Sequence, residues 1–119
     1  MEKNITDFFE QKISACNQER NRLQTEGYTD EANFEKIKAN VYDIFKTVLS
    51  AARKQYGDEQ TKIQDFFEQK LEQIPSNWRA SYEKAKEFDD IETMHIESIK
   101  LDVVRDIKEN ILQIGREEQ

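Results

Sequence analysis

The sequence predicts an all-α protein, an antiparallel four-helix bundle built from a duplicated helical hairpin. Apolar residues recur at three- and four-residue steps through most of the chain, which is the spacing of one helix face. Charged residues make up 36% of the chain, which has three Gly and one Pro, and this composition suits long amphipathic helices. A nine-residue segment at residues 5–13 also returns, with seven identities, at residues 63–71.

The repeated segment indicates two related helical hairpins. A fainter match at an offset of 62 covers the second helix of each hairpin, whereas the first helices match at an offset of 58. We expect one domain over residues 1–119, with hairpins at about 3–57 and 58–115 and a frayed tail at 116–119. The hairpins should pack around a pseudo-two-fold axis. Alternatively, each chain is incomplete and two chains pair their open faces.

The first helix is predicted to run from about Asn4 to Glu26, with Gly27 in a left-handed cap after it. Thr29 or Asp30 is expected to cap the second helix. The apolar face of the first helix consists of Ile5, Phe8, Phe9, Ile13, Cys16 and Leu23.

The second helix has the clearest heptad pattern in the chain. That heptad row consists of Phe34, Ile37, Val41, Ile44, Val48 and Ala52. Beside it, Phe45, Leu49 and Tyr56 widen the predicted core stripe. Gly57 followed by Asp58 predicts a helix stop and a new N-cap.

The third helix opens with the second copy of the repeat and is kinked or broken at Pro75, since proline cannot donate a backbone hydrogen bond. The first copy has Asn17 at the matching position, so this irregularity belongs to the second hairpin alone. The apolar stripe of this helix consists of Ile63, Phe66, Phe67, Leu71, Ile74, Trp78, Tyr82, Ala85 and Phe88.

The fourth helix is predicted to begin at Asp89, with Glu92 three residues later completing a capping box. Gly115 is expected to end it. Its seam consists of Ile96, Ile99, Val103, Ile107, Ile111 and Ile114, widened by Met94, Leu101, Val104 and Leu112.

The net charge of −7 lies entirely in residues 58–119, because residues 1–57 hold equal numbers of acidic and basic side chains. An acidic surface repels phosphates, so we expect neither nucleic-acid nor membrane binding. The charged start of the chain predicts neither a signal peptide nor a membrane span. A single cysteine fits a reducing, cytoplasmic setting. No motif identifies a family, and the overall pattern is typical of small bacterial helical proteins.

Glu92 and His95 form a Glu-x-x-His, the spacing that carboxylate-bridged metal proteins use on one helix face. Such a site needs a second Glu-x-x-His, but His95 is the only histidine and the matching segment offers Asp30 and Asn33. We therefore expect no cofactor and interpret His95 as a surface residue near a helix start. Glu92 and His95 remain weak candidates for a metal site.

Catalysis is not predicted. Cys16 with His95 as its base lacks any flanking signature, and cysteine on an apolar helix face is usually a small core residue. The sequence also has no Gly-rich phosphate loop, no Ser/His/Asp set and no Cys/His metal cluster.

The two Phe-Phe pairs, Phe8/Phe9 and Phe66/Phe67, suggest an alternative function. Adjacent helical residues point about 100° apart, so one ring of each pair could lie at the margin of the core. Two related margins would make a self-complementary patch and a structural homodimer. The simpler interpretation is that all four rings are core residues.

The leading functional prediction is a non-enzymatic module that binds another protein. The second hairpin combines aromatic residues with an acidic cluster that comprises Glu83, Glu87, Asp89, Asp90, Glu92 and Glu97. Aromatic residues beside charge suit a protein interface, although a charge run is usually a solvated helix junction. The predicted partner-binding residues are Trp78, Tyr82, Phe88, Asp89, Asp90 and Glu92.

Overall fold

The computed structural model describes the backbone of residues 2–117 and the side chains of residues 4–111. The helices are α1 (Glu2–Thr25), α2 (Thr29–Tyr56), α3 (Gln60–Gln73), α4 (Pro75–Glu87) and α5 (Ile91–Glu117). Within residues 2–117 there is no strand, so the all-α prediction is confirmed. If α3 and α4 are counted as one interrupted helix, these are the four helices of the predicted bundle.

The helices pack as a bundle in which α2 is central. Helix α1 packs along α2, α4 packs along α5, and α2 also contacts α3 and α5. The aromatic rings of Phe9, Phe45 and Phe67 meet edge to face, with centroids 6.2 Å apart for Phe9–Phe67 and 6.3 Å apart for Phe45–Phe67. This geometry is favourable for ring quadrupoles and adds to the gain from burying three large side chains.

The main core lies at one end of the molecule. It is formed by α1 as far as Cys16, α2 from Ala39 onward, α3, and α5 from Val103 onward. Its buried members are Ile5, Phe9, Cys16, Ala39, Val41, Tyr42, Phe45, Leu49, Ala52, Ile63, Phe67, Leu71, Val103, Val104, Ile107 and Ile111. The opposite end holds the α1–α2 and α4–α5 turns and contributes no residue to this set.

The α1–α2 turn confirms the predicted stop at Gly27 but not the predicted caps. Gly27 has φ 87°, and the N–H of Tyr28 donates to the carbonyl of Leu23 at 2.8 Å, as in a Schellman motif. Tyr28 occupies the N-cap position of α2 and makes no side-chain capping bond. Thr29 and Asp30 already lie in the first helical turn, so neither of them is the cap.

The α2–α3 turn follows the same pattern. Gly57 has φ 58° and ends α2, and its N–H donates to the carbonyl of Arg53 at 2.9 Å. The N-cap position of α3 is held by Glu59, without a side-chain capping bond. The prediction that Asp58 caps the next helix is therefore wrong, because the turn after Gly57 is one residue longer than expected.

The third predicted helix is interrupted at Ile74, between α3 and α4. Ile74 keeps helical angles (φ −61°, ψ −47°), and its N–H still donates to the carbonyl of Lys70 at 3.0 Å. Pro75 is the first residue of α4, where its missing N–H costs little. The Ser76 hydroxyl donates to the carbonyl of Gln73 at 2.6 Å. A bend of the helix axis at Pro75 stays a prediction.

The α4–α5 turn corrects the predicted start of the last helix. Asp89 has φ 55°, and the N–H of Asp90 donates to the carbonyl of Ala85 at 2.8 Å, so Asp89 belongs to the end of α4. Asp90 caps α5: its Oδ1 accepts from the N–H of Thr93 at 3.2 Å, and its Oδ2 accepts from the Thr93 hydroxyl at 2.7 Å. Thr93 thus occupies the third helical position that was predicted for Glu92, but its hydroxyl donates to the cap carboxylate, and the N–H of Asp90 donates to Ala85.

Helix α5 continues through Gly115 to Glu117, so the predicted stop at Gly115 is wrong. Glycine inside a helix costs only about 1 kcal/mol relative to alanine, and an ongoing helix tolerates it. Of the predicted frayed tail, residues 116 and 117 are helical, and residues 118–119 lie outside the described part of the chain. The predicted seam positions Leu112 and Ile114 have side chains outside the described residues.

Candidate interaction surface

The predicted partner-binding residues do not form one exposed surface. Trp78 is half-buried and packs edge to face on Phe45, with ring centroids 6.5 Å apart. On its other side, the Lys100 ammonium lies 5.6 Å from the centre of the indole ring. Tyr82 is also half-buried on α4. Trp78 therefore packs against the core and contributes to a surface only at its edge.

The remaining predicted residues lie together in the exposed α4–α5 turn. Phe88 is 70% exposed, and Asp89, Asp90 and Glu92 are exposed beside it. Ile91, which is not among the predicted residues, is 76% exposed in the same turn. Two exposed large apolar side chains thus lie within four residues, and an exposed apolar patch is one of the features that mark interaction sites.

The acidic cluster is smaller than the sequence indicates. Glu97 is buried, and its Oε1 accepts a hydrogen bond from the Lys100 ammonium at 3.1 Å. Its Oε2 has no hydrogen-bond partner among the described residues. Glu83 and Glu87 share their stretch of α4 with two basic residues, Lys84 and Lys86. The unbalanced negative charge of this cluster is therefore concentrated in the α4–α5 turn.

A first groove lies between the N-terminal halves of α2 and α5, next to this turn. It has a volume of about 810 Å³. Its apolar lining is Phe34 and Ile37 from α2 with Ile91 and Ile96 from α5. The Phe34 and His95 rings meet edge to face across it, with centroids 4.6 Å apart. The two helices therefore approach closely here, although their apolar side chains are incompletely covered.

Charged residues border the first groove. Asp30 and Glu92 lie at the start of α2 and α5, where acidic side chains also favour the positive end of each helix. Lys36 lines the groove six residues further along α2. Acidic charge is therefore concentrated at the end of the groove nearest the two turns.

A second groove, with a volume of about 470 Å³, lies between the C-terminal half of α2 and the α3–α4 junction. Val48 and Ala51 from α2 line it, together with Phe66, Lys70 and Trp78. The α2 residues of both grooves recur at three- and four-residue steps and so share one face of that helix.

This face of α2 is the heptad row that the sequence predicted to be the core seam. Phe34, Ile37 and Val48 are only half-buried, and Ile44, between the two grooves, is 38% exposed. Val41 and Ala52 alone of that row are buried. The buried stripe of α2 is instead formed by Ala32, Ala39, Tyr42, Phe45 and Leu49. Phe45 and Leu49, which were predicted to widen the stripe, are buried as expected, whereas most of the heptad row that was predicted to be its centre is more exposed.

Glu92 and His95 are both exposed. Among the described side chains, residues 4–111, there is no group of three or more His, Cys, Asp or Glu residues that could hold a metal ion. His95 instead packs against Phe34, and Glu92 borders the first groove.

Cys16 is buried and belongs to the main core. Burial raises the pKa of its thiol to about 11, and the charge of Glu35 and a hydrogen bond to it act in the same direction. The thiol is therefore protonated near neutral pH, whereas a nucleophilic cysteine needs a lowered pKa.

The two Phe-Phe pairs have matching environments. Phe9 and Phe67 are buried and in contact, whereas Phe8 and Phe66 lie half-buried at the margin. Each marginal ring packs edge to face on a tyrosine, at 6.1 Å for Phe8–Tyr42 and 6.0 Å for Phe66–Tyr56.

A lysine four residues later covers each marginal ring, with Lys12 Nζ 5.7 Å from the Phe8 centroid and Lys70 Nζ 5.4 Å from that of Phe66. Both marginal rings thus have partners within the chain, and a homodimer through these helices stays a prediction. The gene duplication that the repeat suggests stays a prediction.

A polar cluster connects α1, α2 and α5 next to the first groove, further along α2 and α5. The Tyr42 hydroxyl donates to Asp106 Oδ2 at 2.5 Å, and the Lys12 ammonium lies 3.3 Å from the same oxygen. The Asn110 amide donates to Asp106 Oδ1 at 3.0 Å. Burial, followed by the hydrogen bond to Asp106, raises the pKa of Tyr42 well above its usual range. The cluster links α1, α2 and α5 through polar contacts to the Asp106 carboxylate.

Comparison of the chain with protein-family models, with curated proteins and with solved structures finds no match. None of the helices within residues 2–117 combines the length and the apolar character that crossing a bilayer requires.

Proposed function

We propose that this chain is a non-enzymatic interaction module that binds another protein through the first groove and the adjoining α4–α5 turn. The observation that carries the proposal is the exposure of Ile91 and Phe88 in that turn, at 76% and 70%. Ile91 also lines the groove, so the exposed apolar surface continues into a concave one. Apolar and aromatic residues in a concave patch with a charged rim are the usual composition of a binding site for protein.

The rim favours a basic partner. Asp30, Asp89 and Glu92 are exposed at the same end of the groove. Acidic residues placed around an apolar centre raise the rate of association with a positively charged surface and disfavour acidic competitors. The affinity itself is expected to come from the apolar side chains that lose contact with water.

The test is affinity capture from host lysate with wild-type protein and with Ile91→Glu, quantified by mass spectrometry. We expect a stoichiometric partner whose captured amount falls at least about tenfold with Ile91→Glu, because a charge would be buried in the apolar part of the interface. The matched control is Ala15→Glu, the same kind of change at an exposed position of α1.

A second pair of variants tests the acidic rim. Asp89→Asn and Glu92→Gln together remove two charges and leave Asp90, the cap of α5, in place. We expect weaker capture that depends less on salt concentration. A partner that Ile91→Glu retains in full, or that Ala15→Glu loses equally, would contradict the proposed surface.

A further inference from the structure

We infer that the partner presents an amphipathic α-helix that lies along α2, antiparallel to it, with basic residues in its last turn. This inference rests on the proposed function and adds the shape, the direction and the charge of the occupant. It draws on the second groove and on Ile44, neither of which the proposed function uses.

The apolar row on α2 is as long as a typical partner helix would be. The two grooves open on one face of α2, from Asp30 to Ala51. Twenty-one residues of α-helix extend about 32 Å, which is the length of a partner helix of about 20 residues. Ile44, 38% exposed, lies between the residues of the two grooves along α2.

The spacing of the row also fits a helix. Phe34, Ile37, Ile44, Val48 and Ala51 are partly or fully exposed on this face, and the buried Val41 lies in the same row. The six positions alternate steps of three and four residues, the pattern by which one helix receives the side chains of another. The buried stripe of α2 lies on a different side and already packs against α1, α3 and α5. Helix α2 thus carries a second apolar face that its own chain covers only in part.

The direction follows from charge. Helices α2 and α5 run parallel, since Phe34 meets His95 and, further along both helices, Tyr42 meets Asp106. Their N-termini therefore lie at the same end of the first groove.

That end carries Asp30 and Glu92, whereas Lys70 lines the second groove at the other end. A partner helix that runs antiparallel to α2 places a basic last turn beside the two acidic residues. It also places an acidic first turn of the partner beside Lys70. The charge at each end of the partner helix is then the one that its own dipole favours.

The test uses a displayed library of 20-residue helices with apolar residues at heptad spacing and random residues elsewhere, selected on the full-length protein. We expect the selected peptides to share Lys or Arg in the last turn. Their binding should weaken at least tenfold on Ile44→Asp and, independently, on Ala51→Glu, which changes an exposed position of the second groove. Circular dichroism of each variant checks that the fold is intact.

A charge exchange tests the direction. We expect Asp30→Lys with Glu92→Lys to weaken the selected peptide at least tenfold, and a peptide with Glu in its last turn to recover that loss. Asp7→Lys with Glu10→Lys makes the same change of charge on exposed positions of α1 and should leave binding unchanged.

Two outcomes separate the inference from the proposed function. Selected peptides that need Ile44 but carry their basic residues in the first turn, or at neither end, would overturn the antiparallel helix and leave the interaction module standing. Absence of any peptide that depends on Ile44 or Ala51 would also overturn the inference. The proposed function would fall with it only if capture of the lysate partner proved insensitive to Ile91→Glu.

Discussion

Asp89 and Asp90 are chemically identical neighbours, yet the backbone gives them different roles. Asp89 has φ 55°, a left-handed conformation that aspartate tolerates better than most residues, and its N–H donates to the carbonyl of Lys86 at 3.3 Å. Asp90 follows in an orientation from which its carboxylate reaches Thr93 at the start of α5. Asp89 thus belongs to the turn that ends α4, and Asp90 caps α5.

The cap makes a prediction about pH. Hydrogen bonds from the hydroxyl and the N–H of Thr93 lower the pKa of Asp90. A lowered pKa contributes stability that is present above the unfolded pKa of about 3.9 and is lost as pH falls through the folded pKa. We expect Asp90→Ala to reduce the free energy of unfolding at pH 7 and to have a much smaller effect near pH 2.

Urea denaturation at both pH values measures this difference. Asp89→Asn is the control, because asparagine also tolerates the left-handed conformation and residue 89 makes no capping bond to α5. An effect of Asp90→Ala that is the same at pH 7 and pH 2 would contradict the capping role.

At the scale of elements, α2 carries two apolar faces with different environments. Phe45 is fully buried and contacts the rings of Phe67 and Trp78. Ile44, the residue before it, is 38% exposed. Adjacent helical positions point about 100° apart, so one step along the chain moves a side chain from the core to the groove.

Truncation of Ile44 and of Phe45 should show that the two faces of α2 contribute differently to stability. We expect Phe45→Ala to lower the free energy of unfolding by about 3–5 kcal/mol, because it removes a buried ring and leaves a cavity. Ile44→Ala should cost less than about 1 kcal/mol, because much of the side chain already contacts water. Chemical denaturation of both variants gives the comparison, and equal costs would mean that the heptad row belongs to the core.

At the scale of the whole molecule, stability is distributed unevenly along the bundle. The main core ends near Cys16 on α1, Ala39 on α2 and Val103 on α5. Beyond these residues the α1–α2 and α4–α5 ends hold few fully buried side chains, among them Ala32 and Ala85. The groove and the exposed turn lie at this less densely packed end, where a partner can still bury apolar surface.

Amide hydrogen exchange should show the same gradient. We expect faster exchange in residues 20–35 and 85–95 than in 42–52 and 103–111, because local opening costs least where few apolar contacts are lost. Exchange followed by mass spectrometry at pH 7 resolves these segments. Uniform protection along α2 would contradict the gradient, and a bound peptide should slow exchange in residues 30–45.

The helical class, the four principal helices and most core residues were predictable. The 3.6-residue spacing of apolar side chains and the glycines at 27 and 57 are local features that show where helices form and end. Phe9 and Phe67 lie in the core as expected, but the interpretation that all four rings are core residues is wrong, because Phe8 and Phe66 are only half-buried at its margin. The candidate site was only partly predictable. Phe88, Asp89 and Glu92 are exposed as predicted, but Trp78 packs inward and Ile91 was missed, since a pattern does not distinguish a residue at the start of a helix from one in its core.

The sequence by itself determined where the chain is helical and which residues are apolar, because hydrogen bonding and side-chain spacing within a helix are local properties. The tertiary structure alone decided which apolar face of α2 is buried. Both rows on α2 have helical spacing, and the choice between them depends on where α3 and α5 pack. Tyr42 joins α2 to α5 by its hydrogen bond to Asp106, 64 residues away, and in the packed bundle Ile44 stays 38% exposed.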